Sequence, residues 1–465
     1  MNTLNCENVV VGTGISALGI ILGLIKNKKK IYVIDPFIHF ELSKNTKQKT
    51  IFCEEKLPLP YSNLLKWKNL DHIKLMQKKI FGGHTNFWGG NSLRFSKDSI
   101  ADWPINYNEI KKYYDYSEKI LNIKHYDDDI SNYFGIKKKL KNKIKKDEIF
   151  ISKKNKNIIF GKSRISREFD KKSKDSDKIL NVKNIFIKLI KSKKIILIKG
   201  ELIKFYKKNK FELILKTPKK KIKCKRLFLA TGPLNAKNII KRSVKTSKKI
   251  MQIKQGQAFL IPVLNLSKLS IEKSNVSLSD FNIIYKKFFN KNIYMELKYC
   301  PELIKQTIKR RIGFLHHLIP NFFFKKILII WGFIPSDYSF DYRVVNKKIY
   351  IDKKNILKKK KVKIELMNVL KNISKDLNLI IFSFLLKFTQ FGRGYHIGSN
   401  FPMMKKNFKS KFLSTDINGQ LNLNNYKNLH IVDSSIFTNI PSSPIGLSLF
   451  ANALRILNNI MNKKK

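Results

Sequence analysis

The run Gly12-Thr13-Gly14-Ile15-Ser16-Ala17 has the spacing of a phosphate-binding turn. It follows the apolar Val9-Val10-Val11 and precedes an apolar stretch to Ile25. Gly12 permits a tight turn, and Gly14 lets the backbone approach a pyrophosphate closely. Ala17 stands where a third glycine is usual and still lets helix and strand pack. A helix opening here, with Ser16 in its first turn, offers free N–H groups and a positive dipole end to phosphates. Ile31-Tyr32-Val33-Ile34 then leads into Asp35, 23 residues after Gly12, where a carboxylate can accept hydrogen bonds from ribose hydroxyls. The pattern predicts strand, glycine loop, helix and strand around a dinucleotide. The plainer alternative is a nucleotide-free α/β unit with a glycine turn.

Four later stretches share this small-residue character. Phe81-Gly82-Gly83-His84-Thr85-Asn86-Phe87-Trp88-Gly89-Gly90 sets glycine pairs around two aromatics. Such pairs permit backbone that side chains would block, as where a chain runs against a flat ring; a loop with aromatics plugging the core is the competing reading. Leu229-Ala230 runs into Thr231-Gly232-Pro233, which suits a second pass beside a cofactor or an ordinary turn. Gly392-Arg393-Gly394-Tyr395-His396-Ile397-Gly398 holds a histidine in a glycine-rich turn. Finally, Leu429 to Val432 reads as a strand ending in Asp433-Ser434-Ser435. A loop through Pro444 and a helix over Leu447 to Ile460 follow.

The elements around these stretches fit two domains in 465 residues. An amphipathic helix is expected through Tyr113-Tyr114 to about Leu121, with Pro104 marking its first turn. Residues 125–180, rich in Lys, Asp and Ser, read as a surface excursion. Ile195 to Ile198, Glu201 to Tyr206 and Phe211 to Leu215 read as a β-meander. Residues 250–390 alternate strand-like and helical segments, including Val276 to Tyr285, Tyr294 to Leu303, Ile327 to Phe340 and Lys348 to Ile351. Lys305 to His317 is basic and amphipathic. It suits either a domain face or peripheral contact with an anionic membrane.

The formal net charge of +62 suggests a nucleic-acid binder. The excess is nearly all lysine, however, and is scattered. Lys, Asn, Ile and Phe all have A/T-rich codons, so codon bias on solvated faces explains it more simply, and no specific nucleic-acid partner is expected. Cys6, Cys53, Cys224 and Cys300 form no C-x-x-C pair, which argues against zinc and a disulfide framework; no metal site is expected. The first strand begins almost at once and the apolar runs are short, so the expected location is the cytoplasm, with the inner membrane face as its peripheral variant.

Together, Gly12 to Ala17, Gly82 to Arg94, Asp102 to Tyr114, Leu229 to Pro233, His396 to Met403 and Ile431 to Arg455 resemble the glucose–methanol–choline (GMC) family of flavin oxidoreductases. The resemblance is to its divergent bacterial branch, linked to sugar and polysaccharide metabolism. It implies an α/β fold, α+β overall: a discontinuous Rossmann-like FAD-binding domain (1–100, 185–245 and 390–465) with an inserted β-sheet substrate domain (246–389). Residues 101–184 remain as a surface or lid excursion. Gly12, Gly14, Ser16, Ala17 and Asp35 would hold the ADP half of FAD. Gly82, Gly83, Thr85, Asn86, Trp88 and Gly89 would line the flavin, with Thr231 beside the cofactor. Asp433 would reach the ribityl–pyrophosphate region, with Ser434 and Pro444 nearby.

Oxidising an alcohol removes a proton from O–H and a hydride from C–H. The resemblance implies that flavin N5 takes the hydride and that His396, one of eight histidines, takes the proton. The substrate class is then a small-molecule or glycan alcohol, with an electron acceptor the sequence does not name. Two positions depart from the family. Its second catalytic residue, His or Asn, falls on Pro444, so Ser442, Ser443, Asn439 or Asn400 must substitute or one base must suffice. Its histidine for covalent flavin attachment falls on Phe87, which implies non-covalent FAD. Pro444 also keeps open a redox-neutral isomerase or lyase, and the charge keeps open a basic non-catalytic binding protein on the same fold.

Overall fold

A computed structural model describes residues 3–36, 80–140, 155–168, 178–216, 221–267, 279–299, 313–339, 341–345, 348–351, 356–389, 395–405 and 410–462. Pro58, Pro60, Lys305 to Ile312 and the Gly392-Arg393-Gly394 part of the histidine turn lie outside the described residues.

The fold is α/β and is built on two seven-stranded sheets. The first begins with β1 (Thr3–Val11), α1 (Ile15–Lys26) and β2 (Ile31–Asp35). β1 lies between β2 and the Lys221–Leu229 strand, parallel to both, so Val9, Val10 and Val11 are buried on both faces as a parallel central strand requires. Ile196–Lys199 extends the sheet beyond β2, and Leu429–Ile431 pairs with Lys221–Leu229. Three separated parts of the chain therefore make one sheet. The turns after Val11, Asp35, Leu229 and Ile431 all leave the same, carboxyl end of parallel strands, where α/β sheets bind ligands.

The second sheet is antiparallel, in the order Leu379–Ile381, Gln257–Asn265, Ile327–Ile334, Lys291–Lys298, Phe281–Phe288 and Ile158–Lys162. Period-two alternation gives it two faces. Phe259, Ile261, Val263 and Met295 pack under the Ile356–Leu377 helix, whose Val362, Leu366, Val369, Leu370, Ile373 and Leu377 form one stripe. Ala258, Leu260, Tyr294, Trp331 and Phe333 form the other face.

The structure alters several expectations. Residues 101–184 are not a surface excursion where they are described. α2 (Tyr107–Ile120) buries Ile110 and Tyr114, and the Tyr114 hydroxyl lies 2.8 Å from Ser448 Oγ in the Gly446–Asn462 helix. Ile158–Lys162 is a full strand of the second sheet. A 185 boundary would cut the Val182–Lys191 helix. Short apolar runs among lysines hid these elements. α2 begins at Tyr107 rather than near Pro104, because Asn106 accepts from Asn108 N–H and Glu109 reaches back to close a capping box. Ile196–Lys199 is not in the meander; it runs parallel to β2, and the meander is Leu202–Lys207, Phe211–Leu215 and Lys221–Leu229.

Candidate active site

One cavity collects the small-residue stretches. Gly12, Gly14, Ser16, Asp35, Gly83, Thr85, Trp88, Gly89, Thr231, His396, Asp433, Ser434 and Pro444 all line it. Ala17, Gly82 and Asn86 do not. Ala17 is fully buried behind the loop. Gly82 N–H donates to Thr13 Oγ1 at 2.9 Å, and the Asn86 amide donates to the Phe81 and Gly83 carbonyls. These three brace the wall.

The two glycines of the first loop have different roles. Gly12 has φ +102°, and a Cβ there would lie 2.4 Å from the Ala230 carbonyl oxygen, so glycine is needed for the loop to cross the neighbouring turn. Gly14 is in ordinary extended backbone (φ −75°, ψ −179°) and caps α1 without a side-chain hydrogen bond. A Cβ there would meet nothing within 4 Å. The open space beside Gly14 and the uncapped start of α1 are what a pyrophosphate needs. Thr13, which sequence reading passed over, donates to Asp35 Oδ2 at 2.7 Å while accepting from Gly82 N–H, so one hydroxyl joins acid and glycine pair. The glycine pair itself answers to packing. A Cβ on Gly82 would lie 2.8 Å from Lys183 Cβ, and one on Gly83 would lie 3.1 Å from Gly14 Cα.

The far segments are tied together by hydrogen bonds to the backbone. Asp433 accepts from Gly232 N–H at 2.7 Å and from Ser435 N–H at 2.9 Å. Burial pushes its carboxyl above the usual range, and these donors oppose that shift. Ser434 Oγ donates to the Ile397 carbonyl at 2.6 Å, and Ser399 N–H donates to the Ser434 carbonyl at 3.0 Å. His396 accepts on its carbonyl from Gly256 N–H at 2.9 Å, and Ile397–Gly398 pairs with Lys254–Gln255. The histidine therefore sits where the two sheets meet.

The His396 ring stacks on Phe333 of the second sheet, 4.1 Å between centroids at 28°. Burial, with a smaller contribution from His84, pushes its pKa down from 6.5 to about 3. Burial lowers His84 as well. Both rings are neutral near pH 7, and His396 Nδ1 and His84 Nε2 are buried without a hydrogen-bond partner among the described residues. Two orphaned ring nitrogens on residues of one cavity wall mark a place for a polar ligand.

None of the four stand-ins for the position of Pro444 lines the cavity. Ser442 Oγ donates to the Asn292 carbonyl and accepts from Tyr294 N–H. Asn439 accepts from Trp103 Nε1 and donates to Asp337. Ser443 and Asn400 are buried elsewhere. His84 lines the cavity with His396 and contributes to lowering its pKa, and no sequence signal distinguished it from its loop. Sequence reading also missed Glu296, Lys298, Trp331 and Phe333, which the second sheet contributes to the same wall. Their signal is strand alternation, visible only once the register is known.

No protein-family model and no curated protein sequence matches the chain. Among solved structures, pyridoxine 4-oxidase from Mesorbium loti shares the fold, with a TM-score of 0.57 and 11% identity over 98% of this chain and 99% of that one. Among the described residues, no helix is long and apolar enough to cross a membrane. The chain thus shares the fold of that oxidase.

Proposed function

We propose that this chain is an FAD-dependent oxidoreductase of the GMC type that oxidises a CH–OH group, of a sugar or glycoconjugate, with His396 as proton acceptor. The observation that carries the proposal is the continuity of one cavity from the uncapped start of α1 to His396. The fold shared with pyridoxine 4-oxidase supports it.

In this reading Gly12, Gly14, Ser16 and the first turn of α1 bind the pyrophosphate, and Asp35, set by Thr13, binds ribose. Gly83, Thr85, Trp88, Gly89, Thr231, Asp433, Ser434 and Pro444 form the walls further along. FAD, when bound, supplies the acceptor for the hydrogen leaving carbon. Phe87 offers no nucleophile for a covalent link, so the cofactor is held non-covalently. His396, kept neutral by burial, presents an imidazole nitrogen to the substrate hydroxyl, and Phe333 fixes the ring plane.

Pro444 lines the cavity without a donor or acceptor, and this favours a redox-neutral isomerase or lyase as the second reading. Anaerobic mixing of the FAD-loaded chain with alcohol substrates separates the two. Bleaching of the flavin band, with a loss of about 10²–10⁴-fold in rate for His396→Asn at unchanged FAD content, supports oxidation. Turnover without bleaching supports the second reading. Failure to take up FAD overturns both.

A further inference from the structure

Away from the cavity, exposed apolar side chains gather at one end of the second sheet, and strand register sets them there. Leu264 of the Gln257–Asn265 strand pairs with Ile327 on one side and with Ile380 on the other. Directly opposed residues share a face. Ile380 therefore stands on the face of Leu264 and Ile327, while its neighbours Leu379 and Ile381 pack into the core under the Ile356–Leu377 helix. Leu266, two residues beyond Leu264, falls on the same face by alternation. Leu266 and Ile380 are both exposed. The chain reaches Ile327 through the turn Gly313–Leu318 and the short helix Asn321–Lys326. Ile319 and Phe324 hold these elements on that same face. Phe314 and Leu318 nevertheless stay 80% and 75% exposed, and the turn Ser383–Leu385 after the edge strand adds Phe384 at 77%. These three are the most exposed large apolar side chains among the described residues. In the short helix, Lys325 and Lys326 are exposed as well.

A single exposed leucine needs no explanation, but a group drawn from separate segments of the chain does. Charge decides what covers it. Each copy of this chain carries a formal net charge of +62, so two copies repel and a self-made interface is opposed. A nucleic acid would engage the lysines through its phosphates but would leave Phe314 and Leu318 without an apolar partner. An anionic lipid surface meets both needs. Its phosphates attract the lysines, and the boundary between headgroups and acyl chains takes up the apolar side chains. No helix among the described residues is long and apolar enough to cross, so the contact is peripheral.

We propose that this end of the second sheet docks on an anionic lipid bilayer, with Phe314 and Leu318 entering the boundary between headgroups and acyl chains and with Lys325 and Lys326 facing lipid phosphates. None of these residues lines the cavity, so the docking surface stands independently of the oxidoreductase reading.

The test is flotation of the purified full chain with vesicles of phosphatidylcholine alone and of its equal mixture with phosphatidylglycerol. Wild type should float with the mixed vesicles and not with phosphatidylcholine, and less of it should float at high salt. The double variant F314S/L318S keeps every charge. It should bind the mixed vesicles at least about tenfold more weakly, at an unchanged circular dichroism spectrum. Tyr206→Ser, at an exposed position of the first sheet, should bind like wild type. K325Q/K326Q should also bind more weakly, with a shallower salt dependence. In F314W, lipids brominated along their acyl chains should quench the emission more than they quench wild type, because that side chain enters below the headgroups. Equal binding of wild type and F314S/L318S, or an F314W signal that brominated lipid leaves unchanged, overturns the proposal, since charge alone would then adsorb the chain. Absence of flotation overturns it too. So does a dimer in sedimentation velocity that F314S/L318S abolishes, which would make the patch an interface between copies.

Discussion

Exchanging Gly12 and Gly14 for alanine, one at a time, separates folding from cofactor binding in a single loop. At Gly12 the methyl group would lie 2.4 Å from the Ala230 oxygen, and the backbone holds φ at +102°. The strain is worth about 1–3 kcal/mol and the overlap a similar amount, so Gly12→Ala should destabilise the FAD-free chain by roughly 2–6 kcal/mol. At Gly14 the backbone is extended and the methyl meets nothing within 4 Å, so the FAD-free chain should fold normally. It should even gain about 0.4–1 kcal/mol from a stiffer unfolded state. The penalty at Gly14 should appear only with the ligand. A methyl in the space reserved for a pyrophosphate costs about 1–3 kcal/mol of overlap, or roughly 5–150-fold in Kd. The assay is thermal unfolding of both variants without FAD, followed by FAD titration. If Gly14→Ala binds FAD as tightly as wild type, the pyrophosphate does not lie at this loop, and the reasoning fails.

Two further outcomes follow from side chains. His396 is neutral in the folded chain because burial and His84 push its pKa to about 3, below the 6.5 of the free group. As pH falls from 6.5 towards 3, the unfolded chain takes up a proton that the folded one refuses, so stability drops by at most about 1.4 kcal/mol per unit and levels off below. His396→Asn should therefore lose stability less steeply on the acid side than wild type; equal slopes in denaturant titrations at pH 6.5 and 4.5 would show that His396 is not held neutral. Thr13→Val removes the hydroxyl that Gly82 N–H and Asp35 share. It should cost about 1–3 kcal/mol in urea unfolding and weaken FAD uptake, whereas an unchanged midpoint would show that this link contributes nothing.

The strand, glycine turn, helix and strand of the first unit were legible from the sequence because their geometry is local. Gly12, Gly14 and Asp35 follow from one βαβ unit, and the chain places them together. The reasons assigned to other glycines were less accurate. Gly82 looked like a residue that runs against a ring, but it is glycine because Lys183 packs on it. The signal is the same, and only the tertiary neighbour distinguishes the two. Thr13 occupied an unspecified position of the motif, and its role depends on a residue 69 positions away. Glu296, Lys298, Trp331 and Phe333 were hidden for a different reason. Each strand shows which residues share a face, but the pairing of Glu296 with Trp331 comes from register, and which face meets the cavity comes from the docking of the Ile356–Leu377 helix on the other. The lysine-rich composition also masked the Ile158–Lys162 strand and the buried side of α2.

The most direct test of the central claim is the absorption spectrum of the purified chain after incubation with excess FAD and gel filtration, followed by acid precipitation. The account predicts a single FAD per chain, with an oxidised-flavin band at roughly 450 nm, released to the supernatant by acid. A protein that elutes colourless would contradict it.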